Sequence, residues 1–273
     1  MIVIKLTGGL GNQMFQYAAA KSISIKKKEK LFVDIDSFNT YTLHKYGLKH
    51  FALRANVFKK PSNFKKGIIK FFGNKQKYKE VDFSFNSDFF NLKGNPLILE
   101  GYFQSEKYFI KYENEIRQDF HVVSPLKPIT IKIMDYIQSV NSVSIHFRRG
   151  DYIGNRIHET DKTEYYKEAL NIIQSKVENP VYFVFSDDIN WIRENFKTSF
   201  ETHYIDFNDS ESNYEDLKLM SSCKHNIIAN SSFSWWGAWL NSNPDKIVIS
   251  PKKWFNDDML NYEDVIPQSW IQF

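Results

Sequence analysis

The chain opens with a short apolar run, Ile2 to Leu6, that stops at Gly8 and Gly9 and gives way to a stretch of helical character, QMFQYAAAKSISIKK. A second apolar run, LFVDID, begins at Leu31. Strand, glycine loop, helix, strand is the opening of a parallel α/β unit. PLILEGYFQSEKYF, residues 96–109, reads as another buried strand running into a loop and a helix. Residues 38–95, rich in Lys and Phe, carry no period that assigns them. After Ser124, Pro125 and Pro128 the alternation restarts. It predicts a helix over 128–140, the strand SVSIHF, a helix over 163–176, the strand VYFVFS, a short helix near 188–196 and the strand THYID. A helix over 213–222, the strand HNIIAN, a helix near 235–241 and the strand KIVIS complete the series. Alternation of this kind predicts a second doubly wound parallel sheet. The prolines near 125–128 mark the boundary, so the expected fold is α/β with two Rossmann-like domains, 1–127 and 128–273, facing a cleft.

Composition changes this picture little. Apolar residues at 42% and charged residues at 25% are ordinary for a globular chain of 273 residues, whereas 24 Phe and 15 Tyr offer unusually much aromatic surface for stacking sugars or bases. The net charge is only +4, with lysines clustered at Lys26 to Lys28, Lys59 and Lys60, Lys65 and Lys66, and Lys75 to Lys79. Such clusters read first as solvated faces and second as weak contact with an anionic membrane surface. They give no reason to expect nucleic acid as a partner. One cysteine, Cys223, excludes an intrachain disulfide and any multi-cysteine zinc site. MIVIKLTGGL reads as a strand and turn rather than a targeting segment, and no apolar stretch approaches the ~20 residues that span a bilayer. The expectation is a cytoplasmic protein with at most peripheral contact at the inner face of a membrane.

Ligands of doubly wound sheets bind beyond the carboxyl ends of the strands, so the residues after each expected strand carry the chemistry. In HFRRGDY, residues 146–152, two consecutive arginines leave a buried strand, and alternation puts His146 and Arg148 on one face. A guanidinium fork there suits a diphosphate, which it meets in bidentate fashion without losing its charge. Arg149 is the weaker candidate, because an internal pair with Asp151 would also account for it. In GGLGNQ, Gly9 and Gly11 allow close backbone approach at a helix start, and the amides of Asn12 and Gln13 suit sugar hydroxyls or phosphate oxygens. The spacing is not that of a dinucleotide fingerprint, since Met14 stands where a third glycine would be. In SDD, Ser186 and Asp187 close a strand. In NSSFSWWGAW, Asn230, Ser231 and Ser232 with a helix start make a second anion cradle, whereas Trp235, Trp236 and Trp239 fit packing against the sheet better than stacking on a ligand.

Taken in order, GGLGNQMFQYAAA, GYFQSEKYF, SIHFRRGDY, YFVFSDD and HNIIANSSFSWWGAWLN resemble the α-1,2-fucosyltransferases of glycosyltransferase family 11 over nearly the whole chain. The resemblance implies a GT-B type fold, with residues 1–127 on the acceptor side and 128–273 on the GDP-fucose side. It implies transfer of L-fucose from GDP-fucose, with inversion, to the 2-hydroxyl of a terminal β-galactoside or another glycan acceptor, which could be lipid-linked. No metal or other cofactor is implied. Carried over residue by residue, it puts Arg148 on the diphosphate and His146, Ser232 and Phe233 near the nucleotide, and makes Asp216, sixteen residues before Ser232, the reader of guanine. A carboxylate there can accept from guanine N1–H and N2–H, which adenine could not satisfy.

Two rivals start from the first unit. Asp34 and Asp36 after a strand resemble a pair that holds a divalent cation and a diphosphate, which would make a metal-dependent glycosyltransferase. Strand, glycine loop, helix and a strand ending at Asp34 is also the order of a dinucleotide-dependent oxidoreductase, but that leaves HFRRGDY unexplained. A non-catalytic carbohydrate-binding protein rests on aromatic richness alone. For the chemistry itself, Arg148 is the candidate for stabilising the leaving phosphate, helped by Asn12 or by the serine-rich loop at Ser231 and Ser232. A general base stays open among Asp151, Asp36 and Asp187.

Overall fold

A computed structural model describes residues 1–40, 43–58, 75–158 and 163–273. The chain divides into two compact units, Met1–Val123 with Asn261–Val265, and Ser124–Leu260 with Ile266–Phe273. Lys59, Lys60, Lys65 and Lys66 lie outside the described residues. Among the described residues no helix is long and apolar enough to cross a membrane.

The first unit runs β1 (Ile2–Lys5), α1 (Leu10–Lys27), β2 (Leu31–Asp34), β3 (Asn56–Val57), β4 (Gln76–Lys79), β5 (Leu97–Glu100) and α2 (Glu113–Asp119). Its strands pair in the order β3-β2-β1-β5-β4, every pair parallel. Central β1 is apolar on both faces because both are covered, and Ile2, Val3 and Ile4 are buried. α1 is buried round most of its circumference down to Ser24, which its Ala18-Ala19-Ala20 run permits by keeping the helix thin. Buried Asp119 is held by Tyr17 Oη at 2.6 Å, Lys21 Nζ at 3.3 Å and Arg54, so this carboxylate is fully partnered. The stretch without a sequence period contributes two outer strands, β3 and β4, too short and polar to reveal themselves.

The second unit runs α3 (Pro128–Ser139), β6 (Asn141–Phe147), α4 (Thr163–Lys176), β7 (Pro180–Ser186), α5 (Ile189–Asn195), β8 (Thr202–Ile205), α6 (Asn213–Ser222), β9 (His225–Ile227), α7 (Ser232–Leu240), β10 (Val248–Ser250) and β11 (Ile271–Gln272). The order β11-β10-β9-β6-β7-β8 is all parallel and reverses between β6 and β9, as in a dinucleotide-binding fold. Trp235, Trp236 and Trp239 are core residues: Trp235 stacks on Trp239, Trp236 meets both edge-on, and Trp270 packs at a tilt against Trp235.

Two boundaries differ from the expectation. The division falls at Ser124, ahead of the prolines, because Val123 N still bonds His50 O while Pro125 O already accepts from Tyr214 of the second unit. Residues 261–265 return to the first unit, where Asp264 accepts from Phe85 N at 2.8 Å and pairs with Lys107. A five-residue return of this kind leaves no periodic signal in sequence.

Candidate active site

In the second unit the carboxyl ends of β6, β7 and β9 lie side by side, and the candidate residues follow from that adjacency. Phe147 of β6 stands opposite Ser186 of β7, so the turn Arg148-Arg149-Gly150 runs beside Asp187 and Asp188. Arg148 Nη1 lies 3.0 Å from Asp187 Oδ2, with both side chains half-buried, and its guanidinium stands 5.3 Å from the Tyr152 ring centroid. Asp187 Oδ1 accepts from Arg149 N at 2.9 Å. Gly150 sits so close that a Cβ there would lie 2.6 Å from Asp187 Oδ2, so the approach requires glycine.

Arg149 faces elsewhere. Its guanidinium lies over the Trp191 ring at 3.3 Å, and its Nε is 3.3 Å from Asp188 Oδ2. Asp188 is itself fixed, because its N–H donates to Ser186 Oγ at 3.0 Å and its carboxylate caps α5 at Trp191 N. Arg149 thus fastens α5 to the β6 turn, and Arg148 is the cation left beside the switch point. The side chain of Asp151 lies outside the described residues; its backbone forms a tight turn with Gly150 and Tyr152.

On the β9 side, Ser231 caps α7 by accepting from Phe233 N at 3.3 Å, and Ser232 opens the helix, half-exposed, with no acid in the first turn. Phe233 packs edge-on against buried His146, centroids 5.9 Å apart, which brings together two of the residues carried over from the resemblance. Buried Asn230 works inward: its Nδ2 donates to His158 O at 3.0 Å and Trp254 O at 2.9 Å, and its own carbonyl accepts from Tyr152 Oη. Through these bonds it shapes the loop.

Asp216 lies on the first turn of α6, where Asn208 Nδ2 donates to its Oδ1 at 2.6 Å. Burial pushes its carboxyl up to about 7, and adjacent Glu215 and Asp209 push the same way, against the Asn208 bond and the Lys127 charge. A carboxylate poised near neutrality, with one partner of its own, can accept two N–H groups from an incoming base.

In the first unit the loops after β1 and β5 meet. Asn12, on the first turn of α1, accepts from Gln104 Nε2 at 2.8 Å. Gly9 is the N-cap of α1, and Gly11 is buried in its first turn, which carries no acid. Gln13 departs from its expected role: fully buried, its amide donates to Gly8 O and Lys45 O and accepts from Gly47 N, each at 2.9 Å. With every polar atom engaged inside the fold, it braces the loop and cannot reach a ligand. Glu80 accepts from Tyr102 N at 2.6 Å and from Phe103 N at 2.9 Å, which fixes the segment carrying Gln104. Burial pushes Glu80 up to about 7 against those N–H groups. Neither Glu80 nor Gln104 was singled out by sequence reasoning, although Gln104 stands inside the quoted GYFQSEKYF motif.

Of the rival pair, Asp34 is engaged inside the fold. Asp34 is buried and accepts from Asp36 N at 3.1 Å, a turn after β2. Among the described residues no group of three or more His, Cys, Asp or Glu could hold a metal ion.

Two all-parallel sheets, the second ending in a cationic turn beside a helix start, define an α/β protein of the GT-B type. The chain belongs to glycosyl transferase family 11, whose family model matches residues 1–273. It is 35% identical over 295 residues to an α-1,2-colitosyltransferase of Escherichia coli, covering 100% of this chain and 98% of that one. It is 26% identical over 160 residues to galactoside α-(1,2)-fucosyltransferase 1 of Leontocebus fuscicollis, covering 54% of this chain and 44% of the relative. The fold matches that of the Bradyrhizobium α-1,6-fucosyltransferase NodZ soaked with GDP-fucose, at TM-score 0.50 and 14% identity, over 89% of this chain and 96% of that one.

Proposed function

We propose that the chain transfers L-fucose from GDP-fucose, with inversion and without a metal, to the 2-hydroxyl of a terminal β-galactoside in a glycan, lipid-linked glycans included. The second unit takes the donor and the first the acceptor. The observation that carries the reading is Arg148, fixed by Asp187 at the end of β6 beside the switch point, with the acid-free start of α7 on the other side. Displacement at the anomeric carbon leaves charge on the β-phosphate, and a fixed fork meets that charge where it develops. Asp216 supplies the guanine contact, and His146 with Phe233 lines the nucleotide side. Asn12, oriented by Gln104, is the catalytic candidate of the first unit. Asp187 serves as the partner of Arg148; a bare carboxylate directed at the diphosphate would repel it.

A second reading changes only the sugar. The α-1,2-colitosyltransferase relative favours GDP-colitose, whose sugar lacks the 3-hydroxyl of fucose. The test is an assay of the purified protein with GDP-fucose and GDP-colitose in parallel, on a panel of β-galactosides, with and without EDTA. Faster transfer from GDP-fucose to galactose in the presence of chelator supports the first reading. Preference for GDP-colitose replaces the donor, absence of any transfer to galactose refutes the acceptor, and loss of turnover to EDTA with rescue by manganese refutes the metal-free mechanism.

A further inference from the structure

Asp216 is the last member of a hydrogen-bonded chain that begins outside its own helix. Lys127, the residue before Pro128 of α3, places its ammonium on three acceptors: Phe207 O at 2.8 Å, Asn208 Oδ1 at 3.0 Å and Ser212 Oγ at 3.1 Å. Its backbone N–H donates to Glu215 Oε2 at 2.8 Å, and Tyr214 Oη donates to Pro125 O at 2.8 Å. The segment ahead of α3 is thereby tied to both the loop before α6 and the helix's first turn.

The chemistry of the middle member gives the chain a direction. An amide has one accepting end and one donating end. An ammonium on Asn208 Oδ1 dictates which way the amide lies, so its NH₂ must point at Asp216, where Nδ2 donates to Oδ1 at 2.6 Å. Ammonium, amide and carboxylate then polarise one another in sequence. One lone pair of Oδ1 is taken; the carboxylate retains acceptors on both oxygens, which is what the adjacent N1–H and N2–H of guanine require.

We infer that Lys127 and Asn208 are positioning residues for nucleobase choice, fixing the rotamer and charge of Asp216 so that the site takes a guanine nucleotide and refuses an adenine one. The inference rests on the reading of Asp216 as the guanine contact. The charged groups facing Asp216 are Glu215 and Asp209, which disfavour its ionised form, and Lys127, which favours it. With burial holding the group near neutrality, loss of the one cation moves the balance toward the protonated acid, which cannot accept twice in the same way.

The experiment is calorimetric titration of GDP and of ADP from pH 6 to 8.5 on the full chain and on Lys127→Met, Lys127→Arg, Asn208→Leu and Asp216→Ala, with thermal melts on each. Lys127→Met and Asn208→Leu are expected to lose about tenfold or more in GDP affinity at pH 7, the effect of removing a hydrogen bond to a charged group. Both should raise the pH at which GDP affinity is half-lost, and Lys127→Arg should restore part of it. ADP binding stays weak throughout. A purely structural role would lower the melting temperature without moving that midpoint. If folded Lys127→Met and Asn208→Leu keep the wild-type affinity and midpoint while Asp216→Ala loses GDP, the relay is refuted and the base contact stands. Wild-type GDP affinity in Asp216→Ala would remove the base contact and the relay with it. Should Lys127→Met melt too low to assay, Asn208→Leu decides alone, since it breaks both links of the relay while leaving the Lys127 bonds to Phe207 O and Ser212 Oγ in place.

Discussion

At the reversal of the first sheet, between β1 and β5, the side chains that meet are neutral amides: Asn12 accepts from Gln104, and Gln13 braces the glycine loop. At the reversal of the second, between β6 and β9, the residues are Arg148 clasped by Asp187, with an acid-free helix start across from it. Two parallel sheets therefore present different chemistries at their points of reversal. The parallel sheet supplies a place where two loops diverge; the side chains after each strand decide what is bound there. Amides suit hydroxyl groups, donating to and accepting from them at modest strength. A fixed guanidinium suits a diphosphate and its departing charge.

The contrast is tested first where the charge is. Arg148→Lys keeps the cation but loses the fork, and kcat should fall on the order of 10²- to 10³-fold, as when a positioned donor to a developing anion is removed. Asp187→Asn retains one acceptor for the guanidinium and should be milder, as should Asp36→Asn and Asp151→Asn. Steady-state kinetics near the wild-type rate for Arg148→Lys, together with a folded but dead Asp→Asn variant, would transfer the central role to a carboxylate base.

Next comes the base contact. Asp216→Ala should weaken GDP binding by about 1 to 3 kcal/mol while leaving acceptor KM in place. Because burial raises this carboxyl from 3.8 to about 7, the ionised form needed by guanine is lost as pH falls through neutrality. GDP affinity in the wild type should decline from pH 8 to pH 6. For the unliganded fold the sign is opposite: the group favours folding at low pH, and that contribution is lost as pH rises through about 7. A flat affinity profile across this range would remove the group from the base site.

The first unit is probed through its loop. Gly101 has φ +154°, and a Cβ there would lie 2.4 Å from Glu80 Cβ, so Gly101→Ala must displace the carboxylate that holds Tyr102 and Phe103. The expected cost is roughly 1 to 3 kcal/mol of stability, read as a lowered melting temperature, with acceptor KM rising more than donor KM. An unchanged melt would mean that the loop is not held as described. The smallest effect is expected at Arg149→Lys, which loses stacking on Trp191 and its bond to Asp188 but no group at the switch point. Its GDP affinity should stay within about fivefold of wild type, under 1 kcal/mol; a loss as large as that of Arg148→Lys would restore Arg149 to the diphosphate.

Much of this was legible along the chain, for reasons that differ by element. Helices at Pro128–Ser139, Thr163–Lys176 and Asn213–Ser222 declare themselves by period and boundary, and β6 and β7 by unbroken apolar runs buried on both faces. Tryptophans 235, 236 and 239 read as packing residues because indoles spaced along one short helix fit a core. β3, β4 and β11 were not legible: two to four residues at sheet edges, largely polar, owe their conformation to the neighbouring strand.

The sequence by itself determined that two parallel α/β units carry a glycine-amide loop and an arginine pair after their strands, since alternation and residue type are local properties. Which arginine stays beside the switch point was decided only by tertiary structure, because Asp187, Asp188 and Trp191 reach the turn across paired strands thirty-eight and more residues away. The same holds for Gln13, whose partners at Lys45 and Gly47 turn an apparent ligand contact into a brace, and for Lys127, whose reach to Asn208 spans 81 residues. Hydrogen-bond satisfaction is a property of what the fold brings near, and a linear chain records the donors and acceptors without recording their partners.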